Sequence, residues 1–167
     1  MEKKFKDLVM KNGDTVAEHR ARPSWDQYFL DMARLVATRA TCPVRQVGAV
    51  FVDRDSHGVL SMGYNGSPRG TKHCGEACLN REHGSRTDEC RAVHSETNAI
   101  LNAARQGIRL EGSKVYITLS PCHRCAANLI QVGVAEIIYE EDSAYPDVFN
   151  ELKGAGISVR QVHRKLT

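Results

Sequence analysis

The sequence predicts an α/β fold, a central mixed five-stranded sheet with helices on both faces. Short runs rich in β-branched residues recur along the 167-residue chain. Stretches with helical apolar spacing separate most of them, and glycine or proline stands at many of the junctions.

Taken in order, Ser24 is a candidate N-cap, followed by Trp25, Phe29, Met32, Ala33, Val36 and Ala40 at helical spacing. This gives a helix over roughly 24–40, closed off by Pro43. Val47-Gly-Ala-Val-Phe-Val52 reads as a buried strand, Asp53 to Gly58 as a turn, and Val59 to Tyr64 as the return strand of a hairpin. Asn65-Gly-Ser-Pro-Arg-Gly70 opens a loop that continues to about residue 93 and holds His73, Cys74, Cys78, His83 and Cys90. A segment so long without periodicity is functional, or is held by something other than a core, and bound metal would supply that hold.

At His94 the pattern changes. Thr97, Ile100, Leu101 and Ala104 share a helical face, and Gly107 ends the helix. Val115 to Leu119 is a third strand, and Pro121 opens a helix reaching about Val132. Ala135 to Tyr139, Val148 to Lys153 and Ile157 to Val162 follow as strand, short helix and strand. Residues 1–22 read as a flexible N-terminal extension and 23–167 as one domain.

Composition narrows the function classes. A hydrophobic fraction of 41% and a charged fraction of 26% are those of a soluble globular chain. No apolar run approaches the ~20 residues needed to span a bilayer. The charged start, Met1 to Asp7, lacks the apolar stretch of a secretory signal, so a cytoplasmic protein with no membrane partner is expected. The net charge of +3 contains no block of like charge, and no nucleic-acid partner is expected from it. Six cysteines would pair as disulfides in a secreted chain, whereas in a reducing compartment such clusters more often bind metal. The Cys122-x-x-Cys125 pair after a proline, with other cysteines interleaved among histidines, favours metal.

The chemistry concentrates in His94-Ser-Glu96 and Pro121-Cys-His-Arg-Cys125. Catalytic zinc takes three protein ligands and keeps a fourth position for water, and one imidazole with two thiolates meets that need. Both groups stand where a loop or strand feeds a helix, and the positive end of the helix dipole favours a thiolate there. Glu96, two residues beyond His94, can reach a metal-activated water and act as general base and then general acid. This pair of motifs is the known signature of zinc-dependent nucleobase deaminases. A structural zinc with Glu96 as fourth ligand is the competing reading.

Beyond these motifs, Arg22-Pro-Ser-Trp-Asp-Gln-Tyr-Phe29, Val47 to Val50, Gly63-Tyr-Asn-Gly-Ser-Pro-Arg-Gly70, His94 to Ile100 and Tyr116 to Cys122 resemble the deoxycytidylate (dCMP) deaminases of the cytidine deaminase superfamily. Only residues 1–21 fall outside the resemblance. It implies the cytidine deaminase-like three-layer fold and hydrolytic deamination of dCMP to dUMP and ammonia. Catalytic Zn2+ would be held by His94, Cys122 and Cys125, with Glu96 shuttling protons. Asn65 would contact the sugar and Tyr145 would pack near the pyrimidine, against the simpler readings of a turn residue and a surface aromatic. A second, structural zinc would use Cys42, Cys74, Cys78 and Cys90, with His73 or His83 as substitutes for one thiolate. Gly63, Tyr64, Asn65 and Gly66 correspond to the segment where allosteric members bind dCTP or dTTP, with Mg2+, and the resemblance suggests a homo-oligomer, a hexamer.

The chain departs from the family at Ser95, where alanine is usual, and at Val44, where arginine is common. Arg45, Arg69, Lys72 and Arg124 are candidate phosphate contacts. Other zinc deaminases, acting on a nucleoside, a base or a tRNA adenosine, are the nearest alternatives. A non-catalytic zinc scaffold is the more distant one, and Glu96 argues against it, since a scaffold needs no acid-base group.

Overall fold

Alternating side chains along the strands divide the core between the two faces of one sheet. The computed structural model describes residues 22–74, 90–143 and 145–163. In chain order these form α1 (Trp25–Ala37), β1 (Gly48–Val52), β2 (Val59–Tyr64), α2 (Ser95–Gln106), β3 (Lys114–Leu119), α3 (His123–Gln131), β4 (Glu136–Glu141), α4 (Val148–Gly154) and β5 (Ser158–Gln161). The strand order is β2-β1-β3-β4-β5. β1 is antiparallel to both neighbours, whereas β3, β4 and β5 run parallel. Connectivity explains the mixture: a tight turn joins β1 to β2, while α3 and α4 supply the crossovers that parallel neighbours require.

One face carries α1. Val50, Val52, Tyr116 and Ile138 pack there with Phe29, Leu30, Ala33 and Val36. Ala49, Phe51, Val115, Ile117 and Ile137 point the other way, into a cluster with Ala99 and Ala103 of α2, Ala126 and Leu129 of α3, and Val148 and Leu152 of α4. The expected five-stranded mixed sheet with helices on both faces is the observed architecture. β1 is the strand buried throughout, as its unbroken apolar run implied.

Element ends depart slightly from the sequence pattern, for reasons that concern the site. Ser24 does cap α1, accepting from the Gln27 amide at 3.2 Å. The helix stops at Ala37, short of Ala40. Beyond it, Thr41 docks the following loop: its amide donates to the Asn65 carbonyl at 3.2 Å, and its hydroxyl accepts from the Ser67 amide at 3.1 Å. Gly66 must lack a side chain there, since a Cβ would fall 2.2 Å from Thr41 Oγ1. α3 begins at His123 and not at Pro121, because Cys122 stays extended (φ −83, ψ 169) as its N-cap.

α2 is fixed to β2 by small and amide side chains. Ser61 donates to the Ala99 carbonyl at 2.7 Å, Asn98 Nδ2 to the Tyr64 carbonyl at 2.8 Å, and Asn102 Nδ2 to the Met62 carbonyl at 3.0 Å. Gly63 lets the two backbones approach so closely that a Cβ would sit 2.4 Å from the Ala99 amide nitrogen and 2.5 Å from the Ser95 carbonyl oxygen. Backbone cannot yield as a flexible side chain can. Gly63→Ala is therefore expected to destabilise the fold toward the upper end of the about 1–3 kcal/mol typical of overpacking. Urea denaturation of the two proteins measures this; an unchanged midpoint would show that α2 can move outward at no cost.

Of the expected features, the N-terminal extension (Arg22 apart), Cys78 and His83 lie outside the described residues. Among the described residues no helix is long and apolar enough to cross a membrane.

Candidate metal centre and active site

Two helix N-termini converge on one point. His94 is the N-cap of α2 and Cys122 the N-cap of α3, and neither side chain makes the capping hydrogen bond usual at that position. Giving up a cap costs about 1 kcal/mol per helix. Both side chains instead turn toward each other. His94 Nδ1 lies 3.5 Å from Cys122 Sγ and 3.4 Å from Cys125 Sγ. The ligand atoms of His94, Cys122 and Cys125 all lie within 4.8 Å of one another, and among the described residues this is the group of three or more metal-ligating side chains so placed.

The electrostatics match that arrangement. Cys122 has its pKa lowered, first by a hydrogen bond from the Cys125 thiol and further by His94. Cys125 is pushed up, first by sharing its proton with Cys122 and then by burial. His94 is raised by its contact with Cys122, against the opposing effect of burial. Without metal, the three groups therefore keep protons among themselves that a cation would displace. One imidazole nitrogen and two sulfurs are a borderline-soft donor set that suits zinc, and they leave a fourth tetrahedral position uncommitted. The residues fit the ion.

Glu96 lies in the first turn of α2 and is 4% exposed. Burial raises its pKa, and its hydrogen bonds from its own amide and from Ser95 offset this only in part. Ser95 Oγ donates to Glu96 Oε2 at 2.9 Å, which holds that carboxylate oxygen in place. In the sequence Ser95 stands out only as a departure from its relatives. A second hydroxyl carries no such mark: Thr97 Oγ1 lies 3.9 Å from Cys125 Sγ and accepts from Asn128 Nδ2 at 3.1 Å. The one signal is a hydroxyl on each side of Glu96, legible only once the helix phase is known.

The loop carrying Cys122 is tied down from β4. The Ser143 amide donates to Ser120 Oγ at 2.7 Å, and the Ser120 amide donates to the Glu141 carbonyl at 2.8 Å. His123 bridges two carboxylates, Nε2 to Asp147 at 3.1 Å and Nδ1 to Glu151 at 2.9 Å, and these raise its pKa, Glu151 foremost. Its ring meets Tyr145 edge-on at 5.7 Å, which places Tyr145 beside the Cys122 loop.

Asn65 has both ends of its side chain engaged with backbone: Oδ1 accepts from the Val47 amide at 2.8 Å and Nδ2 donates to the Arg45 carbonyl at 2.9 Å. One N–H and one lone pair remain for a ligand. Gly63 and Tyr64 end β2, and the loop follows from Asn65, as the sequence pattern has it. Cys42, Cys74 and Cys90 are free, half-buried thiols. Hydrogen bonds join the segments near them: Thr41 to Asn65 and Ser67, Gly66 to Val93, and Arg91 to the Lys72 carbonyl at 2.9 Å. Arg45, Arg69, Lys72 and Arg124 are exposed, and the charge of Arg124 is felt at His94.

Comparison with known proteins agrees with this geometry. The chain is 40% identical over 144 residues to ComE operon protein 2 of Bacillus subtilis, a match covering 84% of this chain and 72% of that protein. It is 34% identical over 158 residues to the deoxycytidylate deaminase of Schizosaccharomyces pombe, covering 91% of this chain but only 48% of the longer yeast enzyme. The dCMP deaminase of cyanophage S-TIM5, solved in complex with dCMP and dUMP, superposes with a TM-score of 0.73 at 28% identity, over 86% of this chain and 100% of the phage chain. The family model of the cytidine and deoxycytidylate deaminase zinc-binding region matches residues 23–141, a span that takes in the whole His94, Glu96, Cys122 and Cys125 constellation, and the chain belongs to that family.

Proposed function

We propose that the protein hydrolyses dCMP to dUMP and ammonia. The observation that carries this reading is a buried carboxylate, Glu96, that feels the charges of His94 and Cys122 in a three-ligand His/Cys/Cys centre. The choice of dCMP over other amino-pyrimidines follows the relatives named deoxycytidylate deaminase and the phage enzyme crystallised with dCMP and dUMP.

His94, Cys122 and Cys125 would hold zinc, which when bound supplies a water acidic enough to attack at neutral pH. The Glu96 carboxylate, steadied by the Ser95 hydroxyl on Oε2, accepts that water's proton. It then delivers the proton to N3 of the ring, so that C4 becomes open to addition. Once the water oxygen has added to C4, a second transfer through the same carboxylate carries the proton of the new C4 hydroxyl to the exocyclic amine. The C–N bond breaks, ammonia departs and the C4 oxygen remains as the uracil carbonyl. Burial supports a shuttle of this kind, because a raised carboxylate pKa makes the group easier to reprotonate between transfers. The remaining N–H and lone pair of Asn65 suit a sugar hydroxyl, and Tyr145 beside His123 suits packing against the base. Arg45, Arg69, Lys72 and Arg124 remain the candidate cations for the phosphate.

The same reading includes a second zinc at Cys42, Cys74, Cys78 and Cys90. Hydrogen bonds join the end of α1, the 65–72 loop and residues 91–93, but Cys42, Cys74 and Cys90 are not drawn together as His94, Cys122 and Cys125 are, so this site rests on the family resemblance. The reading also includes, through the family resemblance, dCTP or dTTP with Mg2+ acting at Gly63, Tyr64, Asn65 and Gly66, a hexameric assembly and a cytoplasmic location. The deciding experiment follows ammonia release from dCMP, deoxycytidine, cytidine and dCTP with purified protein. dCMP should be turned over in clear preference; equal rates on deoxycytidine would refute the nucleotide assignment. Metal analysis should return two zinc ions per chain, and one would remove the cysteine site.

A further inference from the structure

We propose that Thr97 and Asn128 form a hydrogen-bond relay that orients the Cys125 thiolate and slows loss of the metal. The inference rests on the zinc reading above. Thr97 is on α2, the helix capped by His94, and Asn128 is on α3, the helix that is capped by Cys122 and contains Cys125. Asn128 Nδ2 donates to Thr97 Oγ1 at 3.1 Å, which occupies one lone pair of the hydroxyl. Thr97 Oγ1 lies 3.9 Å from Cys125 Sγ, a length open to an acceptor as large as sulfur. A cysteine that ligates zinc does so as a thiolate and has no proton to give. The direction is therefore fixed: Asn128 donates to Thr97, and Thr97 donates to Cys125.

Such a bond does two things. It restrains the orientation of Sγ, and it lowers the energy of the sulfur lone pairs that a charge-transfer band reports. It also ties together the two helices that bring the ligands, at the level where both sulfurs meet His94. Thr97 and Asn128 are thus positioning residues, acting on the metal through Cys125. Cys125 itself is 1% exposed, so no solvent hydrogen bond is at hand to replace the one from Thr97.

Thr97→Val removes the hydroxyl at nearly constant shape, Thr97→Ser retains it, and Asn128→Ala leaves the hydroxyl without its orienting donor. Two readouts are independent of turnover. The first is the rate of zinc transfer from the loaded protein to excess 4-(2-pyridylazo)resorcinol. The second is the thiolate-to-metal charge-transfer band of the cobalt(II)-substituted protein. Thr97→Val should release zinc faster, by up to the about 10–100-fold that a lost outer-sphere partner costs in metal affinity, and move the band to lower energy. Asn128→Ala should shift both in the same direction by less, and Thr97→Ser should match the parent. Circular dichroism of the metal-loaded variants controls for folding. Release from Thr97→Val within twofold of the parent, with the band unmoved, would overturn the relay. A parent protein that takes up no zinc at all would instead overturn the metal reading on which the relay stands.

Discussion

Replacing Glu96 by glutamine should lower the rate of dCMP deamination by about 10²–10⁴-fold while the zinc content of the His94, Cys122 and Cys125 centre stays at its parent value. Glutamine has the same length and can still accept from Ser95, which donates to Glu96 Oε2 at 2.9 Å, so the packing at the start of α2 should survive. What it cannot do is take a proton and return it. The loss should fall on kcat, since the missing transfers belong to the chemical steps.

A second readout separates this role from a structural one. Burial raises the pKa of Glu96 in the folded chain. For an acid shifted upward, the folded state binds the proton more tightly than the unfolded state. Its contribution is favourable below the ordinary carboxylate pKa and is lost as pH rises through the raised value. Metal-free Glu96→Gln protein should therefore melt at a higher temperature than the metal-free parent at neutral pH, with the difference shrinking in acid. Full turnover by the glutamine variant with zinc in place would end the assignment of Glu96 as the proton carrier.

Much of this centre is legible in the sequence because its spacing rules are local. His94 to Glu96 and Cys122 to Cys125 need only a helix start to be read, and the turn residues and apolar runs mark those starts. The sheet is legible for the same reason, down to the hairpin of β1 and β2. Contacts made across the fold are not. Nothing in the spacing says that Asn98 and Asn102 reach back to carbonyls of β2, or that Gly63 lies under Ser95 and Ala99. The end of α1 departs from the apolar pattern, and beyond it Thr41 holds the 65–67 loop through contacts that helical spacing does not encode. Asn65 illustrates the limit most clearly. Its Gly-Tyr-Asn-Gly context suggests a ligand contact or a turn, whereas the side chain clamps the backbone at residues 45 and 47.

Cys125→Ala should abolish deamination and retention of the zinc at His94 and Cys122, leaving at most the ion of the separate cysteine site. The residue is 1% exposed, and its sulfur sits 3.4 Å from His94 Nδ1, so its removal leaves a two-ligand remnant at the junction of α2 and α3. Two ligands do not make a tetrahedral catalytic site, and no described side chain stands near enough to join them as a replacement group of three. The parent protein should show the same dependence when its ligands are challenged by protons instead of mutation. His94 is raised by its contact with Cys122, and Cys125 is raised by sharing its proton with Cys122 and by burial. Metal binding must expel those protons, so zinc affinity should fall as pH falls, roughly tenfold per pH unit for each proton displaced. Chelator competition across about pH 6 to pH 8 measures the slope. In Cys125→Ala any residual binding should follow a shallower slope, since one displaced proton is gone. An alanine variant that holds as many zinc ions as its parent, as tightly and with an unaltered slope, would mean that the catalytic ion sits elsewhere and that the convergence of the two helix N-termini has some other purpose.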